Sequence, residues 1–383
     1  MTHQHRFWGI GILSLSRSMR RARTNTLTSI VLLLLLAIIG CSTDGANKHP
    51  DYDRSSVLAD QANNIIGPNF TVLATSCESL DNSINTLIAD PSLPHLEDAR
   101  NALLNARTAF QKCTPYSSFG PSNSYALRNE LNTFPSDTAL IEQNIASGEY
   151  ALGRVSTLDA QGFPAIEYLL WSANSDDDIL NALTNDSRRR DYLTALSARC
   201  QEIASAVSNE WIAYSTMYVQ QDGTDVGSSL GMVVNSLNLD FEKFIRDGKV
   251  GIPLGIRSLG NPLPGHVEAP YSGNSKALLM ASLEGLLQLI EGSEGSSYSL
   301  RTYMNHVGAQ HSGTELSGVI RNHINDLINQ VNAIDRPLEA WLVEEAGAAD
   351  QLYTDLQQLV VYLKVDMTSS LGILISYQDT DGD

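Results

Sequence analysis

Apolar residues recur at three- and four-residue spacing along most of this chain, the period of helices with one buried face. Phe70, Leu73, Cys77, Leu80, Ile84, Leu87 and Ile88 form one long stripe, ended by Asp90-Pro91. Leu96, Ala99, Leu103, Ala106 and Phe110 form a second. Leu193, Leu196, Ile203, Val207, Trp211 and Tyr214 lie in phase on a third, and Val226, Leu230, Val233, Val234, Leu237, Phe241, Phe244 and Ile245 on a fourth. Residues 114–124 read as a loop by composition, and Gln220-Gln221-Asp222-Gly223 as a break. The pattern fails from Gly248 to Gly273, where Gly and Pro are too dense for regular helix, then resumes over about 274–290, 314–334, 336–345 and 347–369. This predicts an all-α protein of two helical bundles, residues 57–221 and 222–383, the second carrying a long irregular loop at 248–273.

One short stretch stands out, Gly162-Phe163-Pro164-Ala165-Ile166-Glu167-Tyr168-Leu169-Leu170-Trp171. Phe163, Ile166, Leu169 and Leu170 are at helical spacing, and Pro164 suits a first turn, where a missing N–H breaks no bond. Glu167 lies in or beside the apolar stripe, so its carboxylate needs a partner or a pocket. Local pairing is the commoner fate of such a residue, and ligand binding the sharper alternative.

The amino terminus changes the picture from a globular chain to an exported one. Arg17, Arg20, Arg21 and Arg23 precede an unbroken apolar run from Ile30 to Ile39, too short for a stable membrane span. The run ends Ile38-Ile39-Gly40-Cys41, which predicts a signal peptide over 1–40 and lipidation at Cys41. Residues 41–56 then read as a flexible tether. Ser42, rather than Asp, directly after the Cys predicts sorting to the outer membrane, facing the periplasm. Removing residues 1–40 takes away five Arg and no acid, leaving 20 Lys and Arg against 43 Asp and Glu, a balance of −23. So acidic a chain argues against nucleic acid and against anionic lipid headgroups as partners.

Three cysteines remain, Cys77, Cys113 and Cys200, in a compartment that permits disulfides. A Cys77–Cys113 bridge is the candidate, although a simple hairpin places the two roughly 10 Å out of register at the helical rise per residue. It needs an irregular end after the second helix, which Thr114-Pro115 permits.

Familiar catalytic patterns are missing: there is no His-Glu-x-x-His, no Gly-x-Ser-x-Gly, no P-loop and no dinucleotide fingerprint. His266 and Glu268 are two apart in the irregular loop, where they could converge on a ligand but are more often solvated. His306, His311 and His323 cluster in sequence, yet Gly308 and Gly313 bracket His311, so helical convergence is not expected. Asp379-Thr380-Asp381-Gly382-Asp383 mimics the start of a calcium loop and stops before the bidentate Glu such a loop requires. Packing of the apolar Leu371–Tyr377 run would set this acidic tip, with Asp381 and Asp383, near a cleft. Arg188-Arg189-Arg190 reads as a solvated helix start or a partner for Asp186 and Asp191.

The 162–171 stretch resembles the signature of the imelysin-like family, a Gly-x-His-x-x-Glu motif followed by an aromatic–leucine run. Gly162 and Glu167 match it, whereas Pro164 stands in place of the His. Val267-Glu268-Ala269-Pro270-Tyr271-Ser272-Gly273-Asn274-Ser275 resembles a second family region, and residues 371–383 the C-terminal end of one subgroup. The resemblance runs from about residue 57 to the end, behind the Cys41 lipobox. It implies two helical-bundle domains with an interdomain cleft, and an envelope lipoprotein linked to iron or haem uptake and its components. Glu167 is then the leading ligand or metal-binding candidate, followed by Glu268, His266, Asp381 and Asp383. The resemblance also offers a metallopeptidase, against which Pro164 counts, because Pro and Glu leave one oxygen ligand where His and Glu supply two groups. A partner-docking lipoprotein without a small ligand is the third reading.

Overall fold

Phe70, Leu73, Cys77, Leu80, Ile84 and Leu87 are all fully buried on the helix Gly67–Ala89, so the first stripe is a core face. It packs against the helices Leu93–Cys113 and Ser187–Gln220, which bury the second and third stripes. These are the walls of an amino-terminal bundle. The chain is an all-α protein, here in a computed structural model that describes residues 52–377. The signal segment, Cys41, Asp381 and Asp383 lie outside the described residues. The tether expected to run through 56 gives way to helix at Arg54, because Asp53 caps it by accepting the Ser56 N–H at 3.0 Å. Among the described residues no helix is long and apolar enough to cross a membrane.

The break expected at 221/222 falls in the connection between Gln220 and the next helix, Ser229–Leu239. That helix runs without interruption into a π-helical segment, Asp240–Gly251, and then a short helix Ile252–Leu254. The irregular excursion therefore begins at Gly255, later than Gly248. Pro253 sits in the first turn of the short helix, where it removes no needed donor. Ser275–Glu291 then packs on the 93–113 helix on one side and on Leu316–Asn332 on the other, joining the two halves of the sequence. Helices Leu338–Glu344 and Ala346–Val360 complete the carboxy-terminal half.

Among the elements not legible in the apolar pattern, two are set by local chemistry. Leu300–His306 is a helix set by a capping box between Ser299 and Thr302. Gln310–His311 pairs with Thr314–Glu315 in a two-residue hairpin, with Gly313 in the left-handed region. The final apolar run is tied down: Leu371 and Ile373 are buried, and Asn235 donates to the Leu374 carbonyl at 2.9 Å.

Candidate functional site

The signature Gly is a steric requirement. Gly162 has φ +70°, and a Cβ there would stand 2.5 Å from the Leu131 carbonyl oxygen. The start of the 162–171 helix is thereby pressed against the backbone of Leu127–Leu131. Pro164 lies in its first turn, buried beside Glu167 and Tyr271 at a small cavity of about 30 Å³.

From this helix Glu167 points into the interior, 0 % exposed. Its Oε2 accepts from Arg107 at 2.9 Å, and its Oε1 accepts from the Ser272 N–H at 2.8 Å and the Ser272 hydroxyl at 2.6 Å. The same Arg107 donates to the Glu268 carbonyl at 2.7 Å. Glu268, also buried, accepts at Oε1 from Gln111 and Asn132, each at 2.7 Å, and is ion-paired through Oε2 with Lys249. Lys249 donates to Gln111 Oε1 at 3.0 Å, which also accepts from Ser282 at 2.9 Å. Glu167 and Glu268 thus converge, through Arg107, in one buried network fed by both halves of the chain. Within it Arg107 Nε and Asn132 Oδ1 are left without hydrogen-bond partners.

Burial raises the Glu268 pKa, but the charges of Lys249 and Arg107 and its hydrogen bonds outweigh that and hold it below the usual carboxylate range. Burial likewise pulls Lys249 down against the attraction of Glu268. A second buried acid lies nearby: Asp240 is ion-paired with Arg128 and accepts from Thr114 at 2.9 Å, while burial pushes its pKa up.

Glu167 is therefore an ion-pair partner and hydrogen-bond acceptor in the place where a metal ligand was expected. Both of its oxygens already accept from donors, and a cation beside it would face Arg107. The donor set does not fit a metal ion. Among the described residues no three His, Cys, Asp or Glu side chains are grouped to hold one.

His266 and Glu268 part company. Glu268 turns into the network, whereas His266 lines a larger cavity of about 380 Å³ with Arg128, Phe134, Lys243, Phe244 and Ile252. Asn132 and Asp247 also contribute to its wall, so the cavity abuts the buried charges. Arg128 lies 3.8 Å over the Phe244 ring and Lys243 5.6 Å from its centroid, both as cation–π contacts.

Three further expectations meet different outcomes. Cys77 and Cys113 are free buried thiols, as is Cys200, so the candidate bridge is not formed. The 93–113 helix stays regular to Cys113, and the register gap is never closed. Burial pushes the Cys113 thiol up to about 12 and Cys77 well above its ordinary value. His311 and His323 each pack edge-on against Tyr362, and each ring is held by its own partner, the Asp366 carboxylate and the Asp355 carbonyl, both at 2.7 Å. His306 lies apart, against Tyr52. In the Arg188–Arg190 run, Asp186 caps the helix by accepting backbone N–H groups, and Arg189 pairs with Glu142 at 2.7 Å instead.

Sequence reasoning missed Arg107, Gln111, Asn132 and Lys249. The available signal was position: Arg107 follows Leu103 by four residues and precedes Phe110 by three, which places a charge inside a buried stripe.

The comparisons agree with this architecture. The family model for imelysin matches residues 66–365. A crystal structure of a putative iron-regulated protein A precursor from Parabacteroides distasonis ATCC 8503 is similar at TM-score 0.70 and 19 % identity, over 84 % of this chain and 97 % of that one. An imelysin-like protein from Psychrobacter arcticum 273-4 is similar at TM-score 0.68 and 17 % identity, over 85 % of this chain and 97 % of that one. No curated protein matches. With the family model spanning most of its length and the fold shared along the whole helical body, the chain belongs to the imelysin family.

Proposed function

We propose that the protein is an envelope lipoprotein that binds a small ligand, without cleaving it, in the service of iron uptake. The observation that carries the reading is the 380 Å³ cavity beside the Arg107–Glu167–Glu268–Lys249 network. That volume lies in the range of small-molecule sites, and its lining residues Arg128, Asp247 and Asn132 are held by Asp240, Arg257 and Glu268. Pro164 carries no metal-binding nitrogen and both Glu167 oxygens are engaged, which favours binding over metal-dependent cleavage. The link to iron rests on family membership and on the iron-regulated Parabacteroides neighbour. Anchoring through Cys41 at the outer membrane, facing the periplasm, belongs to the proposal and rests on the sequence of residues 30–42.

Thr133→Trp, on the cavity rim, tests it by plugging the site without touching the buried network. In a deletion strain grown under iron limitation, the wild-type gene is expected to restore growth. Thr133→Trp is expected to fail at equal abundance and unchanged melting temperature. Full restoration by the plugged variant would favour a docking surface elsewhere on the molecule.

A further inference from the structure

In the lining of the larger cavity and the network behind it, every acid has a basic partner. Asp240 pairs with Arg128, Asp247 with Arg257 at 3.0 Å, Glu268 with Lys249, and Glu167 with Arg107. Two basic lining residues are left over. Lys243 and His266 have no carboxylate in salt-bridge reach among the described residues, and Lys243 is exposed. Asp247 Oδ1 and Asn132 Oδ1 in the same lining lack hydrogen-bond partners, but the Asp247 charge is matched by Arg257. In a chain of net charge −18, the lining charges without an ion-pair partner are thus basic, a local inversion of the field. Most of the surface a ligand meets is apolar, from Phe134, Pro135, Phe244 and Ile252, with the polar Asn129, Asn132 and Thr133 beside them. Its volume, about 380 Å³, exceeds what one ring needs, since an apolar cavity of about 150 Å³ already accepts benzene.

We infer that this cavity takes a small organic anion with one aromatic ring, an aryl carboxylate, whose acid group faces Lys243 and His266 while its ring packs between Phe134 and Phe244. The inference rests on the cavity being the binding site, and it adds the ligand's chemical class. A bare inorganic anion leaves the apolar walls unused. A cationic ligand meets Lys243, His266 and Arg128, and the one lining carboxylate, Asp247, is already ion-paired with Arg257 through Oδ2. A charge-assisted contact to the ligand's acid is the strongest polar interaction the cavity offers.

The test is calorimetric titration of the full-length protein in detergent with 3-phenylpropionate, its carboxamide and phenethylamine, repeated with Lys243→Gln. The acid is expected to bind, and the amide about tenfold more weakly, because it loses the charge-assisted contact. Lys243→Gln is expected to weaken the acid up to about fivefold and to leave the amide unchanged, the range of one exposed charge pair. Added salt is expected to weaken the acid alone. Equal binding of acid and amide, or tighter binding of the amine, would overturn the assigned class while leaving the cavity as a binding site. Binding of none of the three would likewise overturn the class, and full restoration of growth by Thr133→Trp would overturn the cavity as the binding site as well.

Discussion

Arg107 decides what Glu167 can be. One guanidinium bonds the carboxylate of the 162–171 helix and the Glu268 carbonyl from the irregular excursion, with both acids essentially inaccessible. Removing one partner of such a pair costs far more than replacing both, because the survivor stays charged and buried. Arg107→Met is therefore expected to destabilise the protein by about 3–5 kcal/mol. Arg107→Met with Glu167→Gln is expected to recover part of that loss, since no uncompensated carboxylate then remains at position 167. Denaturant unfolding of both single variants and the double variant measures the coupling. Additive losses would mean that the two side chains act independently, against the geometry described. The sequence named both acids, Glu167 as a carboxylate in an apolar stripe and Glu268 from its place in the irregular loop and the family's second region. It did not name their bases, because a Lys or Arg in an amphipathic stripe is ordinarily the solvated edge of that stripe. Only the tertiary approach of the 93–113 helix to the excursion shows that Arg107 and Lys249 face inward.

At the scale of elements, the long stripes were legible because burial repeats every three or four residues and propensity agrees with it. The helix from 67 to 89 ends where Asp90-Pro91 predicts, at Ala89. Legibility failed where local chemistry overrides periodicity. The π-helical segment 240–251 buries Asp240, Glu242, Arg246, Asp247 and Lys249, so its core face reads as polar in sequence. Such wider turns collect at functional sites, and this one supplies Lys243, Phe244 and Asp247 to the cavity as well. The helix 300–306 is too short to show a period and is fixed by its cap. The most demanding local contact is the entry to the 162–171 helix. Gly162→Ala combines a strained positive φ with a Cβ at 2.5 Å from the Leu131 carbonyl, and neither backbone can yield cheaply. Its cost is expected to exceed the roughly 1 kcal/mol of an ordinary helix Gly-to-Ala exchange, and to be unfavourable in sign. Thermal melting of the variant checks this, and a neutral or raised melting temperature would contradict the close packing.

For the whole molecule, the account makes the two family motifs one structural device. Glu167 from the first and Glu268 from the second are joined by Arg107, and the larger cavity meets that network through Asn132, which lines it and donates to Glu268. The resemblance to imelysin-like proteins carried the fold, yet its leading implication at Glu167, a metal ligand, does not fit the donors found there. The decisive measurement is thermal unfolding of the wild type and Glu167→Gln, each with and without added ferrous, ferric and zinc ions. The account predicts that Glu167→Gln alone lowers the melting temperature by about 5–10 °C, the equivalent of breaking a buried pair, and that no ion shifts either protein. A metal-dependent rise in the wild type, lost in a variant that otherwise melts with it, would contradict the account and return Glu167 to the role of a metal ligand.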